Sequence, residues 1–207
     1  MSESTKIPIK IHPRAFSAFG EDLITNENVA MIELVKNCYD AYALKVEIEF
    51  GKDSQGDPFI RIVDDGCGMT RDTIEYAWAT IATSYKKKKP YISRTVQIKG
   101  SNGKMETVKR TRVVSGNKGL GRFSAARLGY QMYITTKHKD DLCIDAYFDW
   151  RSFEQADSIA DCALTFTYRE DNPFFCNSDK TGTIITIKNL RTEWDEPAIE
   201  DLITELA

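Results

Sequence analysis

No run of about 18 apolar residues occurs anywhere in the chain, which excludes a membrane-spanning helix read from sequence. The N-terminal stretch "MSESTKIPIKIHPRAF" lacks the basic-then-apolar order of a secretion signal. Paired cysteines are also missing. The five present, Cys38, Cys67, Cys143, Cys162 and Cys176, are odd in number, scattered, and form no CxxC. A disulfide framework and a cysteine zinc site are thereby excluded, and reduced thiols in a cytoplasmic protein are expected. Internal repeats are absent too. What remains, 207 residues with 29% charged and 42% hydrophobic side chains, is enough to bury a core in one large domain or two small ones.

The net charge of −3 hides an uneven distribution. Between Lys86 and Arg112 stand ten lysines or arginines against the single acid Glu106, so this segment carries +9 and the rest of the chain −12. A segment of this kind either attracts phosphates, of nucleotide or nucleic acid, or is a solvated loop. Residues 84–118 show no hydrophobic period, and a loop of that length is expected. Elsewhere the periods are legible. "IPIKI" reads as a short edge strand and "PRAFSAFGEDLI" as a short helix with Pro13 in its first turn. "TNENVAMIELVKNCYDAYA" is the clearest helix, N-capped by Thr25 or Asn26. "KVEIEF" and "PFIRIVDD" alternate as strands across the turn "GKDSQGD". "RDTIEYAWATIA" is a helix capped by Thr70, and "GLGRFSAARLG" a helix closed by Gly129. "YQMYITTK", "LCIDAYFDW", "ALTFTYRE" and "GTIITIKNL" then follow as strands before a last helix, "EPAIEDLITELA". Helices early and consecutive strands late imply an α+β sandwich with one open sheet, one face of it covered.

Four stretches carry chemistry. On the helix around residues 27–40, Glu33, Asn37 and Asp40 fall at spacings of four and three, which stacks them on one stripe. "DDGCGM" (64–69) ends a strand in a two-glycine turn, "GNKGLGRFS" (116–124) leads glycine-rich into a helix, and "GT" at Gly182 opens a late strand. Taken singly, each has an ordinary structural reading: a partly exposed helix face, a turn, a chance glycine pattern. Their joint order is the informative feature.

That order, "ELVKNCYDA", "DDGCGM", "GNKGLGR", "GT", resembles the GHKL ATPases: gyrase B subunits, heat-shock chaperones, sensor histidine kinases and MutL-type repair proteins. The resemblance runs from roughly Ile9 to Leu190 and is greatest toward bacterial chaperone-like or MORC-like members. It implies a Bergerat-type ATP-binding fold: an α+β two-layer sandwich whose mixed, mostly antiparallel sheet is covered on one face by helices. One domain is expected over 1–207, with an ATP lid over about 84–118, as the N-terminal part of a longer protein.

The resemblance also assigns residues. Asn37 matches the Mg²⁺ ligand, which suits a cation that keeps its waters and binds phosphate oxygens. Glu33 matches the general base toward the attacking water. Asp40 either holds a water near that base or anchors the helix to its neighbour. Asp64 matches the acceptor of the adenine amino group, and Thr183 a water-mediated contact to the adenine edge; Asp65 has no such assignment. Gly66 and Gly68 let backbone pass under the ring, and Met69 packs on its face or in the core. Lys118, Gly119, Leu120, Gly121, Arg122 and Phe123 lie where the lid meets a helix N-terminus that binds phosphates, though Lys118 and Arg122 are equally read as surface residues. Thr83 and Ser84 resemble a phosphate-contacting Thr-Ser segment. The implied activity is ATP hydrolysis with Mg²⁺, weak in an isolated domain, with lid closure as a switch or a dimerisation clamp. A non-hydrolysing ATP sensor and a histidine kinase domain are the alternatives. Glu33 speaks against the kinase, as does the placement of His12 and His138 outside any helical dimerisation segment. The basic stretch 86–112 admits a nucleic-acid or protein partner.

Overall fold

Alternation along the strands decides which side of the sheet is buried. The structure, a computed structural model, describes residues 12–13, 15, 24–79, 90–99, 103–115, 121–158, 161–162, 164–170, 174–175 and 180–207, and among these not the side chains of 77, 79 and 121–123. Six strands, β1 (Val46–Lys52), β2 (Pro58–Asp64), β5 (Gly129–Lys137), β6 (Cys143–Asp149), β7 (Thr165–Arg169) and β8 (Gly182–Leu190), form one sheet. Its order is β1-β2-β8-β5-β6-β7, and every pairing among these strands is antiparallel. The register aligns Ile62, Ile185, Ile134 and Ala146 in one row, and Ile60, Ile187, Met132 and Phe148 in the next. All eight are buried, so a single apolar face is built from residues two apart on each strand.

Three helices account for the other layer. In α1 (Glu27–Asp40), Ala30, Met31, Leu34 and Cys38 are buried at helical spacing, and the Asn26 side chain caps the helix by accepting from Val29 N at 2.8 Å. α1 packs on α3 (Gly121–Leu128), which lies on β5 and β8, and α5 (Glu196–Leu206) meets α1 with Leu202 buried. The architecture is the expected α+β sandwich. No helix among the described residues is long and apolar enough to cross a membrane.

Two short elements depart from the sequence reading. The helix capped by Thr70 begins as α2 (Arg71–Ile74) but continues as a π-helical turn over Glu75–Ala79, and α4 (Arg151–Gln155) carries no cap or apolar period to announce it. The expected "IPIKI" strand and "PRAFSAFGEDLI" helix lie outside the described residues, apart from isolated positions.

The larger correction concerns the basic segment. Within it Tyr91–Lys99 and Met105–Val113 are not loop but two antiparallel strands, β3 and β4, paired as a ribbon. Its inner face pairs Ile92 with Arg112, Arg94 with Arg110, Val96 with Val108 and Ile98 with Glu106. Arginine or glutamate therefore occupies four of eight inward positions, and the period of two disappears from the hydrophobicity pattern.

Leu34 is fully buried between the layers. Leu34→Ala should lower unfolding free energy by about 2–5 kcal/mol, measured by urea denaturation at neutral pH. A loss under about 1 kcal/mol would mean that α1 is not packed as described.

Candidate functional site

The apolar rows of the sheet end in a polar one. Asp64 on β2, Thr183 on β8 and Thr136 on β5 are aligned neighbours, and all three are buried. Thr136 Oγ1 accepts from Met69 N at 2.9 Å and lies 3.1 Å from Gly182 O and 3.0 Å from Thr183 Oγ1. Thr136 has one proton to donate. When it goes to Gly182 O, the Thr183 hydroxyl donates to Thr136 and keeps its lone pairs for another donor. Nearby, Thr181 Oγ1 donates to Gly66 O at 2.7 Å, which ties the strand β8 entry to the turn after β2.

Asp64 Oδ1 accepts from Gly66 N at 2.7 Å, with the Cys38 thiol and Thr183 N close enough to act on its charge. That thiol also has Leu34 O within reach, at 3.4 Å. Burial dominates these hydrogen bonds and raises the Asp64 carboxyl to about 6. The same burial, and then the charge of Asp64, push the Cys38 thiol far above its ordinary value. Burial also raises Cys67, on the turn beside them.

Cys38 projects from α1, so its contact with Asp64 sets the polar stripe of α1 beside the polar row of the sheet. On that stripe Glu33 Oε1 pairs with Lys36 at 2.8 Å, Asn37 is half-buried and Asp40 is buried. Asp40 Oδ1 accepts from Ser115 N at 2.7 Å and Ser115 Oγ at 3.1 Å. These bonds tie the last turn of the helix to the chain at Ser115. No cluster of three or more His, Cys, Asp or Glu side chains suited to a metal occurs among the described residues.

The turn from Asp65 to Gly68 is held from both sides. Asp65 Oδ1 accepts from Leu44 N at 2.6 Å and Lys45 N at 2.9 Å, and Cys67 N donates to Ala41 O at 2.8 Å. Close packing explains both glycines. A Cβ on Gly66 would lie 2.7 Å from Asp64 Oδ1 and 2.8 Å from Ala41 O, and one on Gly68, at φ +67°, would lie 2.0 Å from Lys137 O. Met69 is partly buried against the core, and its sulfur accepts from Trp78 Nε1 at 3.3 Å.

The ribbon meets the body at this place. Arg94 Nη1 donates to Asp65 O at 2.5 Å and to Tyr42 O at 3.1 Å, while Arg112 Nη1 donates to Ala43 O at 2.7 Å. The Arg112 guanidinium also lies over the rings of Tyr42 and Tyr39, at 4.2 and 4.8 Å from their centroids. Tyr42 takes φ +58° as the residue after the C-cap of α1, with Ala43 N bonded to Cys38 O and Tyr42 N to Tyr39 O. This is a Schellman closure with a tyrosine where glycine is usual.

Of the residues read from sequence, Glu33, Asn37 and Asp40 fall on α1, Asp64 and Thr183 on the adjoining ends of β2 and β8, and Gly66, Gly68 and Met69 on the turn after β2. Gly121, Arg122 and Phe123 open α3, whose first-turn Ser124 is buried with no hydrogen-bond partner for its Oγ. Thr83, Ser84, Lys118, Gly119 and Leu120 lie outside the described residues. Thr136 and Thr181 were missed. Thr136 had a signal, a hydroxyl at the inward register of "MYITT" after Met132 and Ile134.

Residues 24–183 match the family described as histidine kinase-, DNA gyrase B-, and HSP90-like ATPase. The chain belongs to this GHKL family. It is an ATP-binding module of the GHKL type, and the matched span runs from the residues before α1 to Thr183 in the polar row. Comparison with individual curated proteins gave no match.

Raising the Asp64 carboxyl in the folded GHKL domain has a signed consequence. The folded state holds this proton up to about pH 6, while the unfolded chain releases it near 3.8. Stability from this group is thus fully present below the unfolded value and is lost as pH rises through the folded one. Asp64→Asn should remove that slope, so the variant gains on wild type by about 2–3 kcal/mol between pH 4 and pH 7. Urea titrations of both proteins across that range measure it, and parallel curves would refute the assignment.

Proposed function

We propose that the domain binds ATP with Mg²⁺ and hydrolyses it to ADP and phosphate. The observation that carries this reading is the Cys38–Asp64 contact, which sets the Glu33–Asn37–Asp40 stripe beside the buried row Asp64–Thr183–Thr136. Asp64 accepts the hydrogen bond of the adenine amino group. An ionised carboxylate has no proton to offer guanine O6, so adenine is selected. Thr183, held by Thr136, meets the adenine edge through water, and Gly66, Gly68 and Met69 form the wall under the ring. The N-terminus of α3, with Lys118, Gly119, Leu120, Gly121, Arg122 and Phe123, takes the phosphates, and Thr83 and Ser84 are read as further phosphate contacts.

Asn37 fits Mg²⁺ as a neutral oxygen donor, with no metal-holding cluster of three or more His, Cys, Asp or Glu among the described residues, since phosphates and water would complete such a site. When bound, the cation neutralises developing charge on the phosphates. Glu33 orients the attacking water and takes its proton. The water oxygen forms the new bond to the γ-phosphorus as the bond to the bridging oxygen breaks, and ADP leaves with that electron pair. The ion pair to Lys36 positions the Glu33 carboxylate across one turn of α1.

The ribbon-bearing segment 84–118 is read as the lid. Arg94, Arg112 and Ser115 attach it to the C-terminus of α1 and to the 65–68 turn, so occupancy by ATP and the lid position are coupled. Closure then acts as a switch or a clamp between two copies.

Calorimetry of ATP binding and assay of phosphate release, each with Mg²⁺, test these roles. Glu33→Ala should bind normally and release phosphate at least about 100-fold more slowly. Asn37→Ala should lose the Mg²⁺-dependent part of binding. Wild-type affinity should fall as pH drops below about 6, where Asp64 takes up its proton. Binding by wild type without any release would favour a non-hydrolysing sensor, and absence of binding would refute the site.

A further inference from the structure

The inner face of the β3–β4 ribbon is spent on the body, where Arg94 and Arg112 hold backbone carbonyls. Its other face is a different surface. The cross-strand pairs Tyr91–Val113, Ser93–Thr111, Thr95–Lys109, Gln97–Thr107 and Lys99–Met105 point outward, and all ten residues are exposed. The face holds no acid. It presents five hydroxyls, one of them the phenol of Tyr91, an amide and two ammonium groups along its length, with apolar surface at either end. Lys99 and Lys109 enter no ion pair among the described residues. Tyr91 to Val113 carry six basic residues and one acid, a net +5 that leaves −8 on the rest of the chain. Lys99 and Lys109 are the two of these six on the outward face, and the positive field of the whole ribbon on an otherwise acidic protein attracts polyanions to it.

We propose that the outward face of this ribbon binds duplex DNA, seated in the major groove with Lys99 and Lys109 on phosphates. Ammonium, hydroxyl and amide groups are the side-chain donors that contact sugar and phosphate oxygens. A two-stranded ribbon fits the B-form major groove, about 12 Å wide, whereas the A-form groove of duplex RNA is too narrow for it. Tyr91, Met105 and Val113, each more than 60% exposed, offer apolar contact to thymine methyls. The inference stands apart from ATP hydrolysis, because none of these outward residues belongs to the nucleotide site.

Fluorescence anisotropy of a short labelled DNA duplex, against wild type and Lys99→Gln/Lys109→Gln, tests it. Wild type should bind, and affinity should fall by an order of magnitude or more from about 50 to about 200 mM salt. The double variant should bind at least about tenfold more weakly at low salt, with a log–log salt slope shallower by about 2. ATP binding and melting temperature should be unchanged in the variant, which separates this failure from that of the ATP site. An RNA duplex of the same sequence should bind more weakly. No binding to DNA at low salt, an unaffected double variant, or equal binding to RNA and heparin would each overturn the proposal.

Discussion

A carboxylate placed where water is scarce governs this structure. Asp64 ends a strand whose inward neighbours are Ile60 and Ile62, and it is buried with them. The hydrogen bond from Gly66 N and the nearby Thr183 N and Cys38 thiol offset part of the desolvation, while burial holds the carboxyl above its ordinary value. Each of those donors belongs to a different piece of chain: the glycine turn, strand β8 and helix α1. Satisfying one acid therefore brings three elements to one point.

The second organising contact lies at the C-terminus of α1. Four carbonyls at Tyr42, Ala43, Asp65 and Ala41 turn toward the gap between helix and turn, and arginines from the ribbon or the Cys67 amide meet them. A tyrosine in the left-handed region costs about 1–2 kcal/mol, an amount comparable to the stacking of Arg112 on its ring. The ribbon is thus not an appendage hung from a loop. Its inward arginines complete the backbone hydrogen bonding of the helix end that carries Asn37 and Asp40, while its outward face stays exposed.

Much of this was legible beforehand, for physical reasons that differ by element. Helix α1 announced itself through its cap and its apolar spacing, and the motifs around Asp64, Gly66 and Thr183 through residue types that few backbones need in that order. The strands of the large sheet alternate because only one of their faces is buried. The ribbon was not legible. Its inward arginines bond to carbonyls contributed by residues 42, 43 and 65, more than twenty positions away in sequence, and hydrophobic periodicity cannot register a polar residue buried by such partners. Thr136 was overlooked for the same reason, since its hydroxyl is satisfied by Met69, Gly182 and Thr183.

Local pattern alone therefore determined the two layers and the polar stripe of α1, because helix spacing and strand alternation need only neighbours along the chain, while the order of the motifs carried the family. Tertiary structure decided which polar groups share one place. It assigned Asp40 to Ser115, made Asp65 a cap for Leu44 and Lys45, and set Asp64 in a row with two threonines. Those pairings depend on strand register and on helix placement, and both are fixed by the burial of a core whose members lie far apart in sequence.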